Sequence, residues 1–134
     1  QLEQADIITK NRLANWNVYH QGLTELAQSG RIKIPSIPSN CQHNGHMFYI
    51  KCKDLVERTA LLAHMKKNDI LAVFHYVPLH SAPAGLQFSR FHGVDRYTTQ
   101  ESERLVRLPM WYGMGNDVIV KVIAAIQSFF SAKT

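Results

Sequence analysis

The chain has 134 residues, 46% of them hydrophobic, with a formal net charge of +5, which fits one domain with room for a real core. Its basic residues are scattered, with no run longer than Lys66-Lys67, so a nucleic-acid stripe is excluded and a small anion such as a nucleotide diphosphate suits the charge as well. No apolar run approaches the roughly 20 residues of a membrane helix, no signal peptide is present, and two cysteines, Cys41 and Cys52, predict reduced thiols in a cytoplasm, not a disulfide framework.

Residues 1–29 read as one long helix. Leu2, Ala5, Trp16, Tyr19, Leu23 and Leu26 follow a three-then-four spacing, interrupted at Thr9 and Arg12 and widened by Ile8 and Leu13. Gly30 supplies the stop. Such length predicts an interdomain helix over 1–30, ahead of a small α/β domain over 31–134. Trp16 and Tyr19 read as packing anchors. Cut from a partner body, this helix would leave Ile7, Ile8 and Leu13 exposed. The chain opens at Gln1 inside the helical pattern, which predicts a piece of something longer.

Arg31 to Asn40 is extended through Pro35 and Pro38 and reads as an edge strand or strap. Asn44-Gly45 is a turn signal. The strand predicted over His46–Lys51 puts Met47, Tyr49 and Lys51 on one face and His46, Phe48 and Ile50 on the other. Asp54 with Glu57 forms a capping pattern. It opens a helix over Leu55–Lys67 with Leu55, Thr59, Leu62 and Met65 inward.

Ile70 to Val77 reads as the central strand, with Val73 and Phe74 buried, ending or bending at Pro78. Alternation puts His75 with Val73 and Leu71, and Tyr76 with Phe74 and Ala72. His75 and His80 converge on one ligand only if the chain turns at Pro78. The alternative is a strand with one core histidine and a solvated loop. Ser81 to Gly93 reads as a long binding loop or lid. Thr98 with Glu101 is a second capping pair, opening a short helix to about Arg104-Leu105. Leu108 to Met110 is extended, and Trp111 to Gly115 is a turn region. A last helix over Asp117–Phe130 turns Val118, Val122, Ile126 and Phe129 or Phe130 inward.

Cys41, His43, His46 and Cys52 are zinc-ligand types, but their spacing, C-x-H-x2-H-x5-C, lacks the paired knuckles of structural zinc. A histidine-bearing loop and a buried thiol account for them. Gly113-x-Gly115 before a helix lacks the lysine and third glycine of a phosphate loop and reads as a tight turn. His75, His80 and His92 titrate in a range useful for acid–base work, with Asp95 and Glu101 the nearby carboxylates. No nucleophile motif accompanies them.

Four stretches carry a resemblance: His46-Met47-Phe48-Tyr49-Ile50, His75-Tyr76-Val77-Pro78-Leu79-His80, Pro83-Ala84-Gly85, and the run from Asp95 through Thr98-Thr99-Gln100-Glu101 to Leu105. Together they resemble the C-terminal part of nucleotide-sugar aminotransferases over essentially the whole chain, with Trp111 to Asp117 departing most.

The resemblance implies the small C-terminal α/β domain of a type I pyridoxal-phosphate enzyme: a long helix, then a small sheet flanked by helices. It implies a large N-terminal domain, absent here, that carries the Schiff-base lysine and most of the pyridoxal 5'-phosphate contacts. It also implies a homodimer with sites at its interface. No lysine motif of that kind matches in this chain. The implied chemistry is amino transfer from glutamate to the C4 ketone of dTDP-4-oxo-6-deoxyglucose, with this chain inactive alone and supplying the sugar-side wall.

On that wall the resemblance places His75, Tyr76 and His80 toward the sugar nucleotide. Arg90 and Arg96 are set toward its diphosphate, and Phe91 covers the sugar. A freestanding, non-catalytic module that binds a sugar nucleotide or other anion is the competing reading.

Overall fold

The computed structural model describes residues 2–132; Gln1, where the expected helix starts, lies outside them. Helix α1 spans Ala5–Gln28 and stops as expected at Gly30, whose φ of +74° lets the Arg31 N–H return to the Leu26 carbonyl at 3.1 Å. Its buried face is Asn15, Trp16, Tyr19 and Leu23. Trp16 and Tyr19 are packing anchors: both rings lie against Phe48. The Tyr19 hydroxyl donates to the Pro109 carbonyl at 2.7 Å, and burial pushes its phenol pKa up.

Strand β1, Phe48–Lys51, pairs antiparallel with β2, Leu105–Leu108, in the register Phe48 to Leu108 and Lys51 to Leu105. Alternation along β1 is as the sequence reads. Phe48 and Ile50, with Val106 and Leu108 opposite them, face the core, while Tyr49 and Lys51 lie half-buried on the open face. Single antiparallel bridges extend the sheet on both sides, Lys33 to Lys51 and Val73 to Arg107. The segment after α1 is thus the edge strap expected of it.

Helix α2, Leu55–Lys67, is capped by Asp54, which accepts the Glu57 N–H at 2.8 Å. Its inward line is Leu61 and Met65, with Leu62 half-buried; Leu55 and Thr59, expected inside, are exposed. Two shorter helices follow, α3 at Pro83–Phe88 and α4 at Thr98–Arg104, and then the long α5 at Asn116–Ser131. Helix α5 buries Ile119, Val122, Ile123, Ala125, Ile126, Phe129 and Phe130. It packs on α1 and α2, and each large apolar side chain so buried contributes about 1.5–3 kcal/mol.

Three expectations change. Ile70–Val77 is not a central strand, because only Val73 pairs, at the sheet edge. Its register opposite Arg107 turns Val73 to the open face and leaves Ile70 and Ala72 on the core side. Val73 and Phe74 are therefore 40% and 46% exposed instead of buried, and the Phe74 ring lies under the Arg58 guanidinium.

The true inner pair is β1 with β2, and β2 was hidden because α4 runs into it with no turn between Arg104 and Leu105. The 81–93 stretch is not all loop either. Pro83 takes the first helical position of α3, where its missing N–H costs nothing. Among the described residues no helix is long and apolar enough to cross a membrane.

Candidate functional site

The open face of the sheet forms the floor of a hollow of about 450 Å³. Tyr49 and Lys51 of β1 and Leu105 of β2 lie beneath it, Glu101 and Ser102 of α4 form one wall, and His75, Tyr76 and Pro78 form the other. The two walls are stitched together by the Ser102 hydroxyl, which donates to the Tyr76 carbonyl at 2.5 Å.

His75 and Tyr76 line the same hollow, which an alternating strand does not allow. The chain leaves strand geometry after Val73, so consecutive side chains share one side. Their rings meet edge to face with centroids 4.4 Å apart. The His75 Nδ1 atom is buried and has no hydrogen-bond partner among the described residues. A buried polar atom left unsatisfied costs about 1–3 kcal/mol, and a ligand with a hydroxyl or carbonyl oxygen is one way to satisfy it.

The charged corner of the hollow is an ion-pair ladder. Lys51 Nζ lies 2.6 Å from Glu101 Oε2, and Arg104 Nη1 lies 3.3 Å from Oε1. Arg104 is itself fixed by Nε donating to the Cys52 carbonyl at 2.8 Å. The Lys51 hydrogen bond holds the Glu101 carboxyl below its usual range against a smaller opposing effect of burial, with Arg104 and Lys33 adding attraction.

His80 is placed differently from the expectation. The chain does turn at Pro78, through a short 3-10 turn at Leu79–Ser81, yet His80 and His75 do not converge. His80 Nε2 lies 3.0 Å from Asp95 Oδ2 and 3.3 Å from Thr99 Oγ1, and its ring lies against Phe91. Asp95 also accepts the Thr98 and Thr99 N–H groups at 2.9 and 3.1 Å. Asp95, not the expected pair of Thr98 and Glu101, therefore caps α4. Phe91 covers an imidazole within the chain. Arg90 and Arg96 are exposed on the 89–97 stretch, and neither lines the hollow.

Sequence reasoning about function passed over Lys51, Tyr49 and Ser102, and named Glu101 only as a carboxylate near the histidines. The alternation of β1 already put Met47, Tyr49 and Lys51 on one face, and that was the available signal. The zinc-type residues scatter: Cys52 is buried, Cys41 is exposed, and His43 packs edge-on against Trp16. Among the described residues no three His, Cys, Asp or Glu side chains converge on a point that would hold a metal.

Residues 1–127 match the DegT/DnrJ/EryC1/StrS aminotransferase family. The chain belongs to that family. A protein of Methanocaldococcus jannaschii, MJ1066, itself uncharacterised, is 27% identical over 98% of this chain and 34% of its own length.

Among solved structures, the aminotransferase TlmJ of Streptoalloteichus hindustanus superposes with a TM-score of 0.85 at 19% identity, over 98% of this chain and 34% of its own. DesV of S. venezuelae, solved with a ketimine intermediate, gives 0.84 at 22% identity, over 96% and 33%. These likenesses establish the fold as that of a small C-terminal aminotransferase domain. The chain spans about a third of the length of the relatives it matches.

Proposed function

We propose that this chain is the substrate-closing C-terminal part of a pyridoxal-phosphate-dependent sugar-nucleotide aminotransferase, and that the hollow on its sheet is the sugar-side wall. The observation that carries this reading is the buried, unpartnered His75 Nδ1 beside Tyr76, in a family whose members are aminotransferases. The cofactor itself does not fit this chain's own residues. Among the described residues Lys51 is the one lysine lining the hollow, and Glu101 holds its ammonium at 2.6 Å. A charge-paired ammonium is a poor imine-forming amine. The Schiff-base lysine and the phosphate cup then belong to a large N-terminal domain, joined through α1, and the chain alone is inactive.

The finer reading follows the resemblance of the run from Asp95 to Leu105. The complete enzyme is a cytoplasmic homodimer, a dTDP-4-amino-4,6-dideoxygalactose transaminase. It takes its amino group from glutamate and delivers it to C4 of dTDP-4-oxo-6-deoxyglucose. His75 and Tyr76 hydrogen-bond the sugar, and Arg90 and Arg96 reach the diphosphate from the exposed loop. His80, held by Asp95 and Thr99, fixes the wall on which Tyr76 sits.

The test is amino transfer by the complete polypeptide with this substrate pair. His75→Ala and Tyr76→Phe are expected to raise KM about tenfold each, the equivalent of one hydrogen bond, with the cofactor absorbance unchanged. Unaltered kinetics in both variants would remove the hollow from the substrate site, and no turnover of any nucleotide sugar by the wild type would remove the function.

A further inference from the structure

A second hollow, of about 220 Å³, shares Lys51 with the first. Arg31, Lys33, Lys51, Lys53 and Arg104 line it, and among the described residues no carboxylate does. The arrangement is built into the backbone. Lys33 and Lys51 exchange both main-chain hydrogen bonds, at 3.0 and 2.8 Å, so they are direct cross-strand partners and their side chains leave on the same face. Like charges placed so oppose the pairing.

Lys53, two residues further along the chain from Lys51, keeps its backbone N–H on Glu57 Oε2 at 2.8 Å. Arg104 is pinned to the Cys52 carbonyl. Glu101 reaches this group from outside the hollow, and its one negative charge is shared between Lys51 and Arg104. Glu57, at the backbone of Lys53, is the other carboxylate close by. Five cations thus line one space at a sheet edge whose main chain is fixed, and the described residues bring no carboxylate into that lining.

We propose that this cationic hollow is a binding site for a small phosphate-class anion, with Glu101 as the built-in competitor for Lys51 and Arg104. None of its residues is among those assigned above to the sugar nucleotide, although Lys51 lines both hollows. The inference stands on the charges of this chain and does not need the aminotransferase reading. The anion is a free phosphate or the phosphate of a nucleotide.

Isothermal titration with pyrophosphate, and separately with thymidine diphosphate, tests it. One saturable site is expected, weakened at least tenfold in Lys33→Gln/Lys53→Gln, whose two side chains lie outside the ion-pair ladder. Glu101→Gln is expected to tighten it several-fold. Tighter binding of the nucleotide than of pyrophosphate identifies the anion as a nucleotide's, and equal binding identifies a free phosphate. Absence of a saturable heat, equal heats from the double variant with its unfolding temperature unchanged, or reproduction of the response by potassium chloride at matched ionic strength overturns the site. Weaker binding by Glu101→Gln overturns the competitor role.

Discussion

Asp95 joins two parts of the chain with one carboxylate: the turn carrying His80, and the start of α4 through the Thr98 N–H and the Thr99 hydroxyl. The Thr99 hydroxyl hydrogen bond is the largest of the influences that hold its pKa below the ordinary 3.8, with the Thr98 and Thr99 N–H groups and His80 adding to it. The sign of the pH effect follows. As acid is added, the unfolded chain protonates Asp95 near 3.8 while the folded chain still keeps it charged. The unfolded state then binds more protons, and stability falls with pH. Asp95→Asn is expected to lower the unfolding temperature near neutral pH, with the gap to the wild type narrowing progressively as the pH drops below that value toward the lower folded-state pKa. A gap that is the same at pH 7 and pH 3 would show that the carboxylate's charge plays no part. The sequence pointed to Thr98 with Glu101 as the cap and gave Asp95 only as a carboxylate near the histidines, because local spacing does not show which oxygen meets the first N–H groups. The His80–Asp95 pair decides it, and that pair joins residues fifteen positions apart in a stretch without periodicity.

At the scale of elements, the sequence was legible where a long apolar stripe or a strict alternation marked the buried face, and less so in α2, whose first turns are exposed. The stripe of α1, the alternation of β1 and the apolar face of α5 all read through, because periodicity records which side meets the core. The segment 70–77 misled, since its β-prone composition marks an edge as readily as a centre. Helix α3 is only six residues long, too short for periodicity to show. What fixes α3 is a close contact: a Cβ on Gly85 would lie 1.7 Å from the Leu79 carbonyl oxygen. Gly85→Ala must therefore push the 79–81 turn and α3 apart, an overpacking strain of about 1–3 kcal/mol. The strain falls outside the main core, so limited proteolysis is the sensitive measurement. Cleavage within 79–97 is expected to speed up while the midpoint of global unfolding moves little. Unchanged cleavage would mean that the turn and α3 separate without cost.

Across the whole molecule, α1 is two helices in one. Tyr19 and Leu23 are fully buried with Phe48, Ile50, Ile119 and Ile126, whereas Ile7 is 60% exposed and Leu2, in the 3-10 turn just ahead of the helix, 93%. Ile8 and Leu13, expected on the exposed side, are half-buried. The C-terminal half of α1 thus belongs to the core, and the N-terminal turns present apolar side chains that the described residues leave uncovered. Two substitutions separate these roles. Leu23→Ala removes a core side chain against α5 and is expected to cost about 2–5 kcal/mol in chemical denaturation. Ile7→Ser is expected to leave the unfolding midpoint within about 0.5 kcal/mol, as for a surface site. Its effect belongs to association: the wild-type chain is expected to self-associate at high concentration in sedimentation velocity, and Ile7→Ser to shift it toward monomer, because uncovered apolar side chains seek a second surface. A wild-type chain that stays monomeric at every concentration, or a large loss of stability in Ile7→Ser, would mean that the N-terminal turns are covered within the chain itself.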